Sequence, residues 1–199
     1  MQLMSNGAGR ESDRTGRFPG GSPGPEGERG GAQFSDAERR ARDVIYRLLA
    51  ARARSQQELR QALQRKGIDE ETAERVLQKF VDAGLVDDAA FARDWVRSRS
   101  RSRGLGRKAL GFELRRKGVD ESLIEIALSE VDSDDEEERA RELVQRKLRT
   151  MTIGDPVVVT RRLIGMLARK GYSEGLAFRI VREELERSGA GTEFDSEVP

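Results

Sequence analysis

From about residue 36 to 187, apolar residues recur three and four positions apart, which lines one face of a helix. The pattern is punctuated by three related heptads: "LQRKGID" at 63–69, "LRRKGVD" at 114–120 and "LARKGYS" at 167–173. Around each glycine the apolar spacing is the same. Leu59, Leu110 and Leu163 stand eight residues before Gly67, Gly118 and Gly171; Leu63, Leu114 and Leu167 stand four before. Beyond the glycines come Ala73, Val76 and Leu77, then Ile124, Ala127 and Leu128, then Ala177, Ile180 and Val181. Each glycine is therefore expected to stop one amphipathic helix in the left-handed conformation, with Asp69, Asp120 or Ser173 capping the next.

A third helix belongs to each unit. "ARDVIYR" (41–47) recurs as "ARDWVRS" (92–98) and "ARELVQR" (140–146). The third copy holds five extra residues around "TMTIGDP" (150–156), where Pro156 suits the first position of a helix. The expected fold is all-α, three tandem three-helix repeats over 34–84, 85–131 and 132–187, nine helices in all. Residues 1–33 hold nine of the 21 glycines and three of the five prolines, and read as a disordered tail. Residues 188–199 read as a flexible C-terminal tail.

Composition narrows the chemistry. With no cysteine and no histidine among 199 residues, disulfides, thiol nucleophiles, Ser-His-Asp catalysis and the usual zinc ligand sets are excluded. No catalytic residue, metal ligand or cofactor is expected. The acidic pair Asp87 and Asp88 fits a helix cap better than a magnesium-dependent hydrolase, and "DSDDEEE" (132–138) lacks the glycine and terminal glutamate of a calcium loop. Those acids instead complement the positive end of the helix that carries Arg139 to Leu148. "GLGRK" (104–108) is no phosphate loop, because neither its spacing nor a preceding strand is present. No apolar run nears the ~20 residues that cross a bilayer, so a cytoplasmic protein is expected, and a monomer.

Charge is nearly balanced overall, 37 basic residues against 36 acidic, but unevenly spread. Residues 93–118 hold ten basic side chains against Asp94 and Glu113. Serines and glycines here predict a frayed, flexible segment suited to phosphates or to an acidic protein surface. The contact candidates are Arg97, Arg99, Arg101, Arg103, Arg107 and Lys108, with Arg115, Arg116 and Lys117 second. The "RKG" cations have a plainer reading too, as last-turn charges facing the helix dipole. Trp95 takes the place of Val44 and Leu143 in the sister repeats and is read as packing rather than base stacking. A helix-turn-helix reader of DNA is disfavoured, because the would-be recognition helices open "DEETAER", "DESLIEI" and "SEGLAFR".

Three stretches, "SQQELRQALQRKGID" (55–69), "GLVDDAAFARDWV" (84–96) and "GRKALGFELRRKGVD" (106–120), resemble the RecX family of RecA regulators. The likeness covers about 36–187; the third repeat departs from it at Tyr172 and Ser173. The resemblance implies an elongated, curved helical array that binds the RecA filament on single-stranded DNA. It also implies inhibition of the filament's ATPase, strand-exchange and coprotease activities, and so a role in recombinational repair and the SOS response. The alternative is a helical-repeat protein that binds single-stranded DNA directly.

Overall fold

A computed structural model of the protein describes residues 35–151 and 155–189. The tail expected over 1–33 and most of that over 188–199 lie outside the described residues; Ser188 and Gly189 form the turn that ends the last helix. Among the described residues the secondary structure is helical: α1 Asp36–Ala51, α2 Gln56–Arg65, α3 Glu70–Asp82, α4 Asp88–Arg103, α5 Arg107–Arg116, α6 Glu121–Ser129, α7 Ser133–Leu148, α8 Pro156–Arg169 and α9 Glu174–Arg187.

The caps follow from the sequence. Asp69, Asp120 and Ser173 each accept a backbone N–H in the first turn of the following helix, from Thr72, Ser122 and Leu176. Ser55 and Glu58 form a reciprocal capping box at the start of α2. Pro156 opens α8 behind the Asp155 cap. Asp132 caps α7, and Asp134, Asp135 and Glu136 lie inside its first turn. The helix thus begins within the acidic run rather than after it, because carboxylates there satisfy the N-terminal dipole.

Each triplet encloses its own core. In α1–α3 it gathers Ile45, Leu59, Leu63, Val76, Leu77 and Phe80; in α4–α6, Phe91, Val96, Leu110, Leu114 and Ile124; in α7–α9, Val144, Leu163, Leu167, Ile180 and Val181. The two leucines preceding each glycine are fully buried in all three. Truncating one such leucine to alanine costs about 2–5 kcal/mol, through lost transfer energy and the cavity left behind.

The junctions between triplets share one plan. Asp88 and Glu136 each stand four residues before the alanine of the recurring "AR" motif, and both are buried. Asp88 Oδ1 accepts the N–H of Gln56, the first residue of α2, at 2.9 Å. Glu136 Oε1 accepts the N–H of Arg107, the first residue of α5, also at 2.9 Å. The same helix starts press on the glycine cap of the next triplet. Ser55 Oγ donates to the Lys117 carbonyl at 2.6 Å; Gly106 N–H donates to the Lys170 carbonyl at 2.9 Å and Lys108 N–H to the Gly171 carbonyl at 3.1 Å. All three motif glycines have positive φ, but only two are crowded. A Cβ on Gly118 would strike Gln57 and one on Gly171 would strike Ala109, whereas Gly67 has nothing within 4 Å. The repeated heptad is therefore both a helix stop and, in its second and third copies, a docking surface for the preceding repeat.

Candidate functional site

The arginine-rich stretch is ordered helix. α4 runs without a break through Arg97, Arg99, Arg101 and Arg103, and Gly104 closes it in the left-handed conformation. Two things hold the segment that composition alone marks as frayed. Phe91, Ala92, Val96 and Ser100 bury one face of α4, and Arg99 and Arg103 find a carboxylate, Glu113, across on α5. Tertiary packing overrides the weak propensity of the serines.

Glu113 organises the centre of the second repeat. Its Oε2 accepts the Trp95 indole N–H at 2.9 Å and lies 3.6 Å from Arg99 Nε, while Oε1 lies 3.8 Å from an Arg103 nitrogen. Trp95 stacks on Phe91, and the Arg99 guanidinium and the Lys117 ammonium sit 4.2 and 4.6 Å from its ring centre. The ring is thus engaged on its faces and its N–H, which fits packing rather than base stacking.

The nine candidate cations divide by surroundings. Arg99 belongs to the Trp95–Glu113 cluster. Arg107 lies 3.1 Å from Glu136 and also donates to the Val131 carbonyl, so it stitches the second repeat to the third. Lys117 donates to Glu58 at 2.7 Å and stitches the second repeat to the first. Arg115 pairs with Glu121, whose carboxyl it holds below the ordinary range. Arg97 pairs with Asp94 on the same exposed helix face. Arg103 is exposed and only loosely held by Glu113. Arg116 projects over the exposed ring of Phe112. Arg101 and Lys108 are exposed, with no side-chain partner among the described residues.

Arg101 opens onto a cleft that the linear sequence does not reveal. Two adjoining hollows, of 380 and 650 Å³, lie between α4 and α7 and share Ser100, Arg101 and Arg139. The smaller mixes Arg93 and Arg97 with Glu130, Asp132 and Asp135. The larger collects Arg101, Arg103, Arg139, Arg146 and Lys170 against a single carboxylate, Glu142. Arg139 and Arg146 come from the third repeat, whose 12 basic residues are balanced by 12 acidic ones, so regional charge conceals them. Three of its acids are engaged by arginines of the same repeat: Glu137, Glu183 and Glu184 surround Arg141, and Glu137 also holds Arg179. No group of three or more acidic side chains that could hold a metal ion occurs among the described residues. No helix of the described residues is long and apolar enough to cross a membrane.

Comparison with known proteins agrees with this architecture. Three domain profiles match in order: RecX, first three-helix domain, over residues 41–80; second three-helix domain, over 87–128; and third three-helix domain, over 134–181. Regulatory protein RecX of Amycolatopsis mediterranei is 53% identical over 152 residues, covering 76% of this chain and 87% of that protein. Its counterpart from Streptomyces coelicolor is 48% identical over 179 residues, covering 85% and 95%. Among solved structures, RecX from Lactobacillus salivarius superposes with a TM-score of 0.68 at 20% identity, covering 77% of this chain and 99% of that one, which supports the fold. With its three triplets each matched in sequence and in order, the chain belongs to the RecX family of regulatory proteins, which act without catalysis.

Proposed function

We propose that this protein binds the RecA filament formed on single-stranded DNA and restrains its ATP hydrolysis, strand exchange and coprotease action. Through these it modulates recombinational repair and the SOS response in the cytoplasm. The supporting observation is the match of all three RecX domains along one chain, joined by junctions of one design. Repeats joined in the same register present related surfaces at regular intervals, which suits a partner that is itself a polymer of identical subunits. Inhibition by occupancy needs no reactive side chain. The exposed cations Arg97, Arg101, Arg103, Lys108 and Arg116 are the contact residues this reading favours, since they can meet a partner without first breaking a junction.

The test is titration of the purified, monomeric protein into RecA, ATP and single-stranded DNA while hydrolysis and strand exchange are followed. Both should fall with dose and saturate. Unchanged rates at saturating protein would end the proposal.

A further inference from the structure

We propose that the hollow between α1 and α3 of the first repeat receives the acidic, aromatic segment "TEFDSE" (192–197) of a second copy of this chain, joining copies head to tail. The docking stands on its own chemistry; its setting, copies lying in line on a polymer, rests on the function proposed above.

The hollow has an apolar floor and a basic rim. Val76 and Phe80 lie buried at its base, Tyr46 and Leu85 flank it at 49% and 53% exposure, and Arg42 and Lys79 stand at its edge. Its volume is 120 Å³, near the ~150 Å³ of a cavity that holds a benzene ring. Tyr46 meets Phe80 edge to face with ring centres 4.9 Å apart, so an incoming ring extends an aromatic cluster. Lys79 lies 3.8 Å from Glu38, a loose contact that leaves its side chain half exposed.

The sister repeats do not share this character. Arg97 and Gln145 occupy the place of Tyr46. Lys79 and Phe80 correspond to Glu130 and Val131 in the second repeat and to Glu183 and Glu184 in the third, where both glutamates bind Arg141, the counterpart of Arg42. The third repeat thus meets that arginine with its own carboxylates. In the first, no carboxylate lines the hollow and two large apolar side chains stand open beside it. A ligand that carries an apolar ring between carboxylates matches both features.

The chain carries such a ligand. Beyond Gly189 the sequence holds no basic residue, and Phe194 stands between Glu193 and Asp195 with Glu197 close behind. Five residues from Gly189 to Phe194 reach at most ~18 Å. The first and third repeats are joined through the second, a helical unit about two helix diameters, or ~20 Å, across. The segment therefore meets the hollow of a neighbour rather than its own. One such contact buries far less than the ~1,000 Å² of a stable interface, so free copies stay apart and the contact forms where copies already lie side by side.

The test titrates the full chain into a fluorescein-labelled peptide of residues 188–199 and follows anisotropy. Binding should saturate, weaken with salt, and fall about tenfold or more when the peptide carries Phe194→Ala, because the buried ring is lost. In the protein, Leu85→Ser and Lys79→Glu should each weaken binding several-fold, while Phe112→Ser, which removes an exposed ring from the second repeat, should not. Circular dichroism checks each fold, and Lys79→Glu, on an exposed side chain, carries the test if Leu85→Ser unfolds. Equal binding of the Phe194→Ala peptide, or equal losses from Lys79→Glu and Phe112→Ser, would overturn the site. So would a full chain with Phe194→Ala that takes up the peptide tenfold more tightly than the wild type, because the wild type's own segment would then fill its hollow. A chain that binds the peptide but leaves RecA untouched keeps the docking and loses the function. One that restrains RecA and ignores the peptide does the reverse.

Discussion

Lys117 Nζ lies 2.7 Å from Glu58 Oε1, an ion pair with both side chains more than four-fifths buried, spanning the first and second repeats. Burial alone would raise the Glu58 carboxyl, but hydrogen bonds from Lys117 and Arg52 outweigh it and hold the group below its ordinary value of 4.5. A carboxyl depressed in the folded state contributes stability above the unfolded value and loses it as pH falls through the folded one. The wild type should therefore lose more stability than Glu58→Gln as pH falls below 4.5, and exceed it by about 1–2 kcal/mol at neutral pH. Thermal melts of both proteins from pH 7 to pH 3 check this.

Asp88, at the same junction, has the opposite sign. Burial raises its carboxyl above the ordinary 3.8, despite the hydrogen bond from the Gln56 N–H. The folded protein then holds a proton that the unfolded chain has released, so this group's contribution declines as pH climbs from 3.8 through the raised value. Asp88→Asn keeps an acceptor for Gln56 and should be neutral or stabilising at pH 7. Asp88→Ala strands the N–H and should cost about 1–2 kcal/mol. Denaturant melts at pH 7 separate the two outcomes.

The three motif glycines provide a graded series. Gly67→Ala should cost about 1–2 kcal/mol, the price of a side chain in left-handed backbone, because the space around it is open. Gly118→Ala adds a collision with the Gln57 side chain. Gly171→Ala meets the backbone of Ala109 and should cost most, since the junction must separate to admit a methyl group. Melting temperatures falling in the order Gly67, Gly118, Gly171 are the expected result; equal losses would mean that the glycines serve only as helix stops.

That series marks where the sequence stops being informative. "QRKGID" and "RRKGVD" are nearly identical locally, and both announce a helix end with a capped successor. The difference between an open glycine and a crowded one depends on whether a repeat precedes it, which is a property of the array. The buried leucines and the caps were legible because helical period and capping chemistry act over a few residues. The division of the arginines was not. Arg99, Arg107 and Lys117 are committed to Glu113, Glu136 and Glu58, acids 14, 29 and 59 positions away. Arg139 and Arg146 join Arg101 only through the packing of the third repeat on the second.

Tyr172 replaces the Ile68 and Val119 of its sister repeats and keeps their buried position. Its hydroxyl reaches the Gly104 carbonyl at 3.3 Å, tying the third repeat to the end of α4. Burial pushes the phenol up to about 12. A phenol raised in the folded state contributes stability that fades as pH rises from 10 to 12, because the unfolded chain ionises first. Tyr172→Phe should remove the highest-pH step of the tyrosinate absorbance titration and cost about 1 kcal/mol near neutrality.

The surroundings of the cations also sort the charge reversals. Arg101→Glu with Lys108→Glu alters two exposed side chains that have no partner among the described residues, so helical circular dichroism should be unchanged. If those residues meet the filament, inhibition of RecA ATP hydrolysis should weaken by about tenfold, since a reversed charge repels as well as fails to attract. Arg99→Glu is a different experiment. It sets a second carboxylate beside Glu113 and removes the cation from the Trp95 face, so it should lower the melting temperature and shift tryptophan emission before any partner is added. Loss of inhibition in Arg99→Glu would therefore report on folding, and only the Arg101 and Lys108 pair reads the contact itself.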